Sequence, residues 1–179
     1  WACMFDYFGW KWDYEPLDLN GWIPDFMIHG GRTPLLVEVK PISHFCDKTA
    51  AKIARALGPN IHKTLTDGDE LPEFSTDAYS VLIVGVKLHE TYAFEGGAIG
   101  WITDDWGCSE WEGFDFAMVT NTPGGYGIVA DSGSYHDRIS CTYHLEGSGG
   151  DRCGPVVYPE ELREMWNTAT NAVQWKAPK

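Results

Sequence analysis

The chain has 179 residues, enough for one domain with its own hydrophobic core, and 44% hydrophobic with 14% aromatic residues is globular rather than disordered composition. No run reaches the roughly 18 uninterrupted apolar residues of a membrane helix, so no membrane partner is expected. The formal net charge of −13 counts against a broadly basic nucleic-acid surface, and phosphate contacts would have to come from a local patch.

The chain begins at Trp1 without a methionine and reads as a fragment; no basic-then-apolar leader is visible. Cys3, Cys46, Cys108, Cys141 and Cys153 are odd in number and irregular in spacing, which is not a disulfide framework. A reducing, cytoplasmic setting is the expectation.

Trp1 to Trp10 reads as the end of a helix, with Trp1, Phe5 and Phe8 at helical spacing and Gly9 as the stop. Lys11–Leu17 and Trp22–Ile28 read as strands. His29, Gly30, Gly31 and Arg32 form a turn, and Leu35–Lys40 is a third strand ended by Pro41. Asp47 is placed to cap a helix running to Leu57, closed by Gly58 and Pro59, with Ala50, Ile53, Ala54 and Leu57 on its apolar face. Tyr79–Leu88 carries the strongly apolar SVLIVGVKL and predicts a buried central strand. Weaker strands follow at Ala98–Thr103, Asp115–Thr120 and Gly127–Ala130, a meander by their spacers. Pro159–Trp175 is a final helix with Leu162, Trp166, Ala169 and Val173 on one side. Trp101, Trp106 and Trp111 are assigned to an acidic loop around DDWGCSEWEG. The expected class is α/β (α+β): a mixed central sheet flanked by helices over residues 1–90, then a meander and C-terminal helix over 91–179, all in a single domain.

The chemistry-bearing stretch is Leu35-Leu36-Val37-Glu38-Val39-Lys40. Side chains alternate across a strand, so Leu35, Val37 and Val39 share one face while Glu38 and Lys40 share the other. An acid and a base inside an apolar strand cost several kcal/mol to bury unless they pair or bind a metal. Asp25, after Pro24 on the preceding strand, folds back toward Glu38 across the Gly-Gly turn. Two carboxylates and a backbone carbonyl make a hard-oxygen site suited to Mg²⁺ or Mn²⁺, with Lys40 placed to act on a water or a transition state. A bare E-x-K is very common, and alone it more often marks an ordinary cross-strand ion pair at a sheet edge. The joint pattern of Pro-Asp-Phe, a short turn and Glu-Val-Lys-Pro is far more specific.

The stretch FDYFGWKWDYEPLDLNGWIPDFMIHGGRTPLLVEVKP resembles the PD-(D/E)xK, or restriction-endonuclease-like, nuclease superfamily, nearest to phage junction-resolving endonucleases and the endonuclease subunit of certain transposons. The resemblance covers about residues 1–60. It implies a restriction-endonuclease-like core, an Mg²⁺-dependent DNA endonuclease, Asp25, Glu38 and the Val39 carbonyl as metal ligands, and Lys40 as catalytic lysine. Many members add a glutamate on the first helix. None lies between Trp1 and Trp10, Asp6 falls too late in the helix to replace it, and Glu15 on the first strand is the nearest candidate to help. The implied partner is DNA, with a homodimer or a larger complex with a partner protein as the assembly to look for.

Lys48, Lys52 and Arg55 recur at i, i+4 and i+7, opposite the apolar face of their helix. With Lys63 they give four basic residues against one acid, Asp47, between Pro41 and Thr66. That is where a surface tracking a nucleic-acid backbone would lie; a solvated helix face is the plainer alternative. A further cluster, His136, Cys141, His144 and Cys153, contains the zinc-ligand spacing Cys-x-x-His without a matching second pair. Zinc at Cys141, His144 and Cys153 is one reading, and free cysteines with surface histidines the plainer one. Three functions are thus expected in competition: the endonuclease, a nuclease-fold module that binds or regulates without catalysis, and a zinc-stapled interaction protein.

Overall fold

The computed structural model describes residues 1–29, 34–57, 80–91, 95–103, 114–122, 125–130 and 155–172. Among these are three helices, α1 (Ala2–Phe8), α2 (Asp47–Leu57) and α3 (Pro159–Ala172). Seven strands accompany them: β1 (Lys11–Tyr14), β2 (Phe26–His29), β3 (Leu35–Val39), β4 (Ser80–Glu90), β5 (Gly97–Thr103), β6 (Phe114–Thr122) and β7 (Gly125–Ala130). The class is α+β with one mixed sheet, in the order β1-β2-β3-β4-β5-β6-β7. Every neighbouring pair is antiparallel except β3 and β4, which run parallel. A parallel pair needs a long crossover, and α2 lies within it. No described helix is long and apolar enough to cross a membrane.

The sheet is covered on both faces. Phe26, Ile28, Leu35, Val37, Leu82 and Val84 pack with α1 and α3 on one side. Leu36, Val81, Ile83, Trp101 and Phe114 pack with Trp22 and the buried face of α2 on the other. Four of the five β3 residues are therefore buried, which is why that strand reads as a nearly continuous apolar run. Indoles tie the ends together: Trp1 packs at a tilt against Trp166, ring centroids 4.6 Å apart, and donates Nε1–H to the Gly85 carbonyl at 3.0 Å.

Gly85 is required by close approach. A Cβ there would sit 2.3 Å from the Ile42 carbonyl oxygen, where the chain leaving β3 crosses β4. Val86 N–H donates to that same carbonyl at 2.9 Å. Gly9 ends α1 with φ 73°, the left-handed conformation that favours glycine.

Several boundaries differ from the sequence expectation. β1 stops at Tyr14, short of Leu17, because Glu15 takes φ 42° and Pro16 follows. β2 starts at Phe26 rather than Trp22, since Pro24 has no N–H for the ladder. Trp22 instead bridges Leu19 in a tight turn, and Asp25 stands just before β2, not within it. His29 belongs to β2 rather than to the turn. Lys40 follows β3 immediately, its N–H still bonded to Val84 O at 2.9 Å. Asp47 is the first residue of α2, not its cap: the Cys46 carbonyl accepts from Thr49 and Ala50 at 2.9 and 3.1 Å. Trp101 lies buried on β5, outside any acidic loop, because alternation in a strand covered on both faces leaves no exposed position for it. The meander strands continue the central sheet edge to edge rather than forming an appendage. The expected Gly30–Arg32 turn, the Gly58-Pro59 stop, Lys63, Trp106, Trp111, Cys108, His136, Cys141, His144, Cys153, Val173 and Trp175 lie outside the described residues. Cys3 and Cys46 are free thiols.

Candidate functional site

Glu38 is the natural starting point, because a carboxylate 2% exposed needs an explanation. It shares the α2-facing side of β3 with Leu36, as strand alternation requires. Each oxygen has a partner. Oε2 accepts the indole N–H of the buried Trp22 at 2.9 Å, and Oε1 pairs with Lys40 Nζ at 2.5 Å. The ammonium also donates to Val39 O at 3.3 Å. Lys40 keeps 35% of its side chain exposed, so the pair joins a buried anion to a cation at the protein surface.

Asp25 comes to the same end of β3. The β2–β3 ladder ends with Phe26 opposite Val37, and Asp25 stands just before it. Its Oδ2 accepts the Val39 N–H at 2.7 Å, one residue beyond Glu38. Pro24, just before Asp25, has no N–H with which to extend the ladder. At the end of β3 the Asp25 carboxylate thus takes the Val39 N–H and the Lys40 ammonium takes the Val39 carbonyl.

Glu15 adjoins the group through its backbone, its N–H donating to Asp25 O at 3.0 Å. Its carboxylate, however, hydrogen-bonds the exposed Tyr14 hydroxyl; that bond, its charge and the nearby Asp25 push the phenol's pKa up. Asp6 is elsewhere, accepting the Trp12 indole at 2.9 Å.

The donor set fits a hard divalent cation in kind: carboxylate and carbonyl oxygens with one cation already drawn to two of them. Asp25 Oδ1 makes no hydrogen bond to another described residue. No group of three or more His, Cys, Asp or Glu side chains among the described residues could hold a metal, so the set rests on Asp25, Glu38 and the Val39 carbonyl.

Lys48, Lys52 and Arg55 are all exposed along α2, the helix that covers the Glu38 face of the sheet. Lys52 and Arg55 border a depression of about 220 Å³ with Asn20, Gly21, Trp22 and Ala56. Asn20 Nδ2–H donates to the Ala56 carbonyl at 2.8 Å and fixes the loop against the helix end. The wall shared by this depression and the Glu38 carboxylate is Trp22. Sequence reasoning missed Trp22: it is one of nine tryptophans, and only its place two residues before Pro24-Asp25 marks it out.

Farther along the same face, His89 packs against Trp101 and Phe116 with ring centroids 4.6 and 5.4 Å away. Burial, then the charges of Lys87 and His44, lower its pKa to about 4. Cys46, at the start of α2, has its thiol pKa lowered by hydrogen bonding from Thr49. Compared with known proteins, the chain matches no protein-family model and no solved structure.

Proposed function

We propose that the chain is a metal-dependent endonuclease of the PD-(D/E)xK type, cleaving phosphodiester bonds in DNA, with a restriction-endonuclease-like core formed by α1, β1–β3, α2 and β4. The observation that carries this reading is the buried Glu38, joined to Lys40 and flanked by the Asp25 carboxylate on the Val39 N–H. Asp25, Glu38 and the Val39 carbonyl would hold Mg²⁺ or Mn²⁺. When bound, the ion supplies Lewis acidity and a more acidic water. Lys40 offers the scissile phosphate a positive charge in a partly dehydrated setting, where one well-placed donor is worth several kcal/mol. Lys48, Lys52 and Arg55 would contact backbone phosphates at a distance from the chemistry. Glu15 is an accessory carboxylate at most one rung away.

One observation favours the non-catalytic module: both Glu38 oxygens are already engaged by protein groups, in a chain of net charge −13. The deciding experiment is a cleavage assay with labelled single-stranded, duplex and branched DNA and added Mg²⁺ or Mn²⁺. Lys40→Ala should lower the single-turnover rate by orders of magnitude. Replacing Lys48, Lys52 and Arg55 with Ala should weaken binding and reduce the salt slope by about 0.9 for each phosphate no longer neutralised, leaving saturated turnover intact. A protein that cuts none of these substrates, and binds none at low salt, would be the module instead.

A further inference from the structure

We propose that Lys40 is a built-in placeholder for the divalent cation, so that its ammonium and the metal compete for Glu38 Oε1 and the Val39 carbonyl. This rests on the metal-site reading above. Three features carry it. The ammonium touches two of the three oxygens assigned to the metal, at 2.5 and 3.3 Å. Both polar backbone atoms of Val39 meet side chains, its N–H the Asp25 carboxylate at 2.7 Å and its carbonyl the mobile Lys40 ammonium. The Lys40 side chain is 35% exposed and has four rotatable bonds, whereas the Glu38 side chain is buried and pinned at its other oxygen by the buried Trp22. Exchange therefore asks the lysine to swing outward while the carboxylate stays in place.

The arrangement solves a problem of the apo protein. A buried carboxylate without a counter-charge is strongly unfavourable, and the lysine neutralises Glu38 until a metal arrives. Once the ion is bound, like-charge repulsion drives the ammonium off the inner oxygens and toward solvent, the side from which a phosphate would approach. The same residue thus keeps the empty site folded and becomes available to substrate only when the site is loaded. Lysine at this position sets metal affinity as well as reactivity.

The test is equilibrium Mn²⁺ binding, read by the loss of free-ion EPR signal, with no DNA present. Wild type, Lys40→Met, Glu38→Gln and Asp25→Asn are compared at low ionic strength. Removing the competing charge while keeping a chain of similar length should make Lys40→Met bind Mn²⁺ about tenfold tighter than wild type. Glu38→Gln and Asp25→Asn should lose binding. Unchanged or weaker binding by Lys40→Met, with the two carboxylate variants still defective, overturns the placeholder and leaves the metal site standing. Equal Mn²⁺ binding by all four proteins, or binding by none, overturns the metal site itself. Lys40→Arg checks that charge is the cause: it should bind nearer to wild type than to Lys40→Met.

Discussion

Removing the Trp22 indole should expose how strongly this structure depends on holding the Glu38 carboxylate. Trp22 and Glu38 are 1% and 2% exposed, and their bond is 2.9 Å with a charged acceptor. A hydrogen bond to a charged group is worth about 1.5–3 kcal/mol, and trimming a buried indole to a phenyl ring adds roughly 1–2 kcal/mol of weakened packing. Trp22→Phe should therefore destabilise the protein by about 2.5–5 kcal/mol. Glu38→Leu removes the acceptor and leaves the indole N–H buried and unsatisfied, which costs about 1–3 kcal/mol for that group alone. The double variant leaves neither partner stranded, so its destabilisation should fall short of the sum of the singles by about 1.5–3 kcal/mol. Urea unfolding of the four proteins in EDTA, with m-values checked for constancy, measures that coupling. Additivity to within about 0.5 kcal/mol would show that the indole does not hold the carboxylate, and the account of Glu38 would fail.

Two further outcomes follow from packing and titration. Gly85→Ala drives a Cβ to 2.3 Å from the Ile42 backbone oxygen, so the β3-to-α2 connection has to shift. A destabilisation of about 2 kcal/mol, or roughly 4–8 °C in Tm for a chain of this size, should appear in thermal melts; an unchanged Tm would refute the close approach. His89 has a folded-state pKa near 4 against an ordinary 6.5, because burial disfavours the imidazolium. The folded state then binds fewer protons than the unfolded one between those values, so stability is intact above pH 6.5, falls as the pH drops toward 4, and loses nothing further from this group below that. His89→Phe should lose less Tm between pH 6.5 and 4 than wild type does, and parallel curves for the two proteins would exclude His89 as a contributor.

Much of the order of elements was legible because helices and strands leave periods of 3.6 and 2 in neighbouring residues. α2 occupies the residues its apolar face predicts, SVLIVGVKL lies at the centre of the sheet, and the three later strands form the expected antiparallel run. The same alternation places Glu38 and Lys40 together and separates them from Leu35 and Val37. The errors cluster where one residue overrides the pattern. Pro24 delays β2 until Phe26, and Glu15 with its positive φ cuts β1 at Tyr14.

Sequence alone thus determined that an acid and a base would be neighbours on a buried strand, with a second carboxylate within a hairpin's reach. Tertiary structure decided what that juxtaposition amounts to. The indole of Trp22 reaches Glu38 from sixteen residues away, and no local period encodes that contact. The meeting of the Asp25 carboxylate with the Val39 N–H depends on where the β2–β3 pairing ends, which is set by packing on both faces of the sheet. The basic stripe of α2 is visible as a spacing, yet its place over the Glu38 face depends on which side of the sheet the crossover takes. Local pattern is fixed by the geometry of successive peptides, whereas the partners of a buried charge are chosen by the fold as a whole, because burial removes water from every competing arrangement at once.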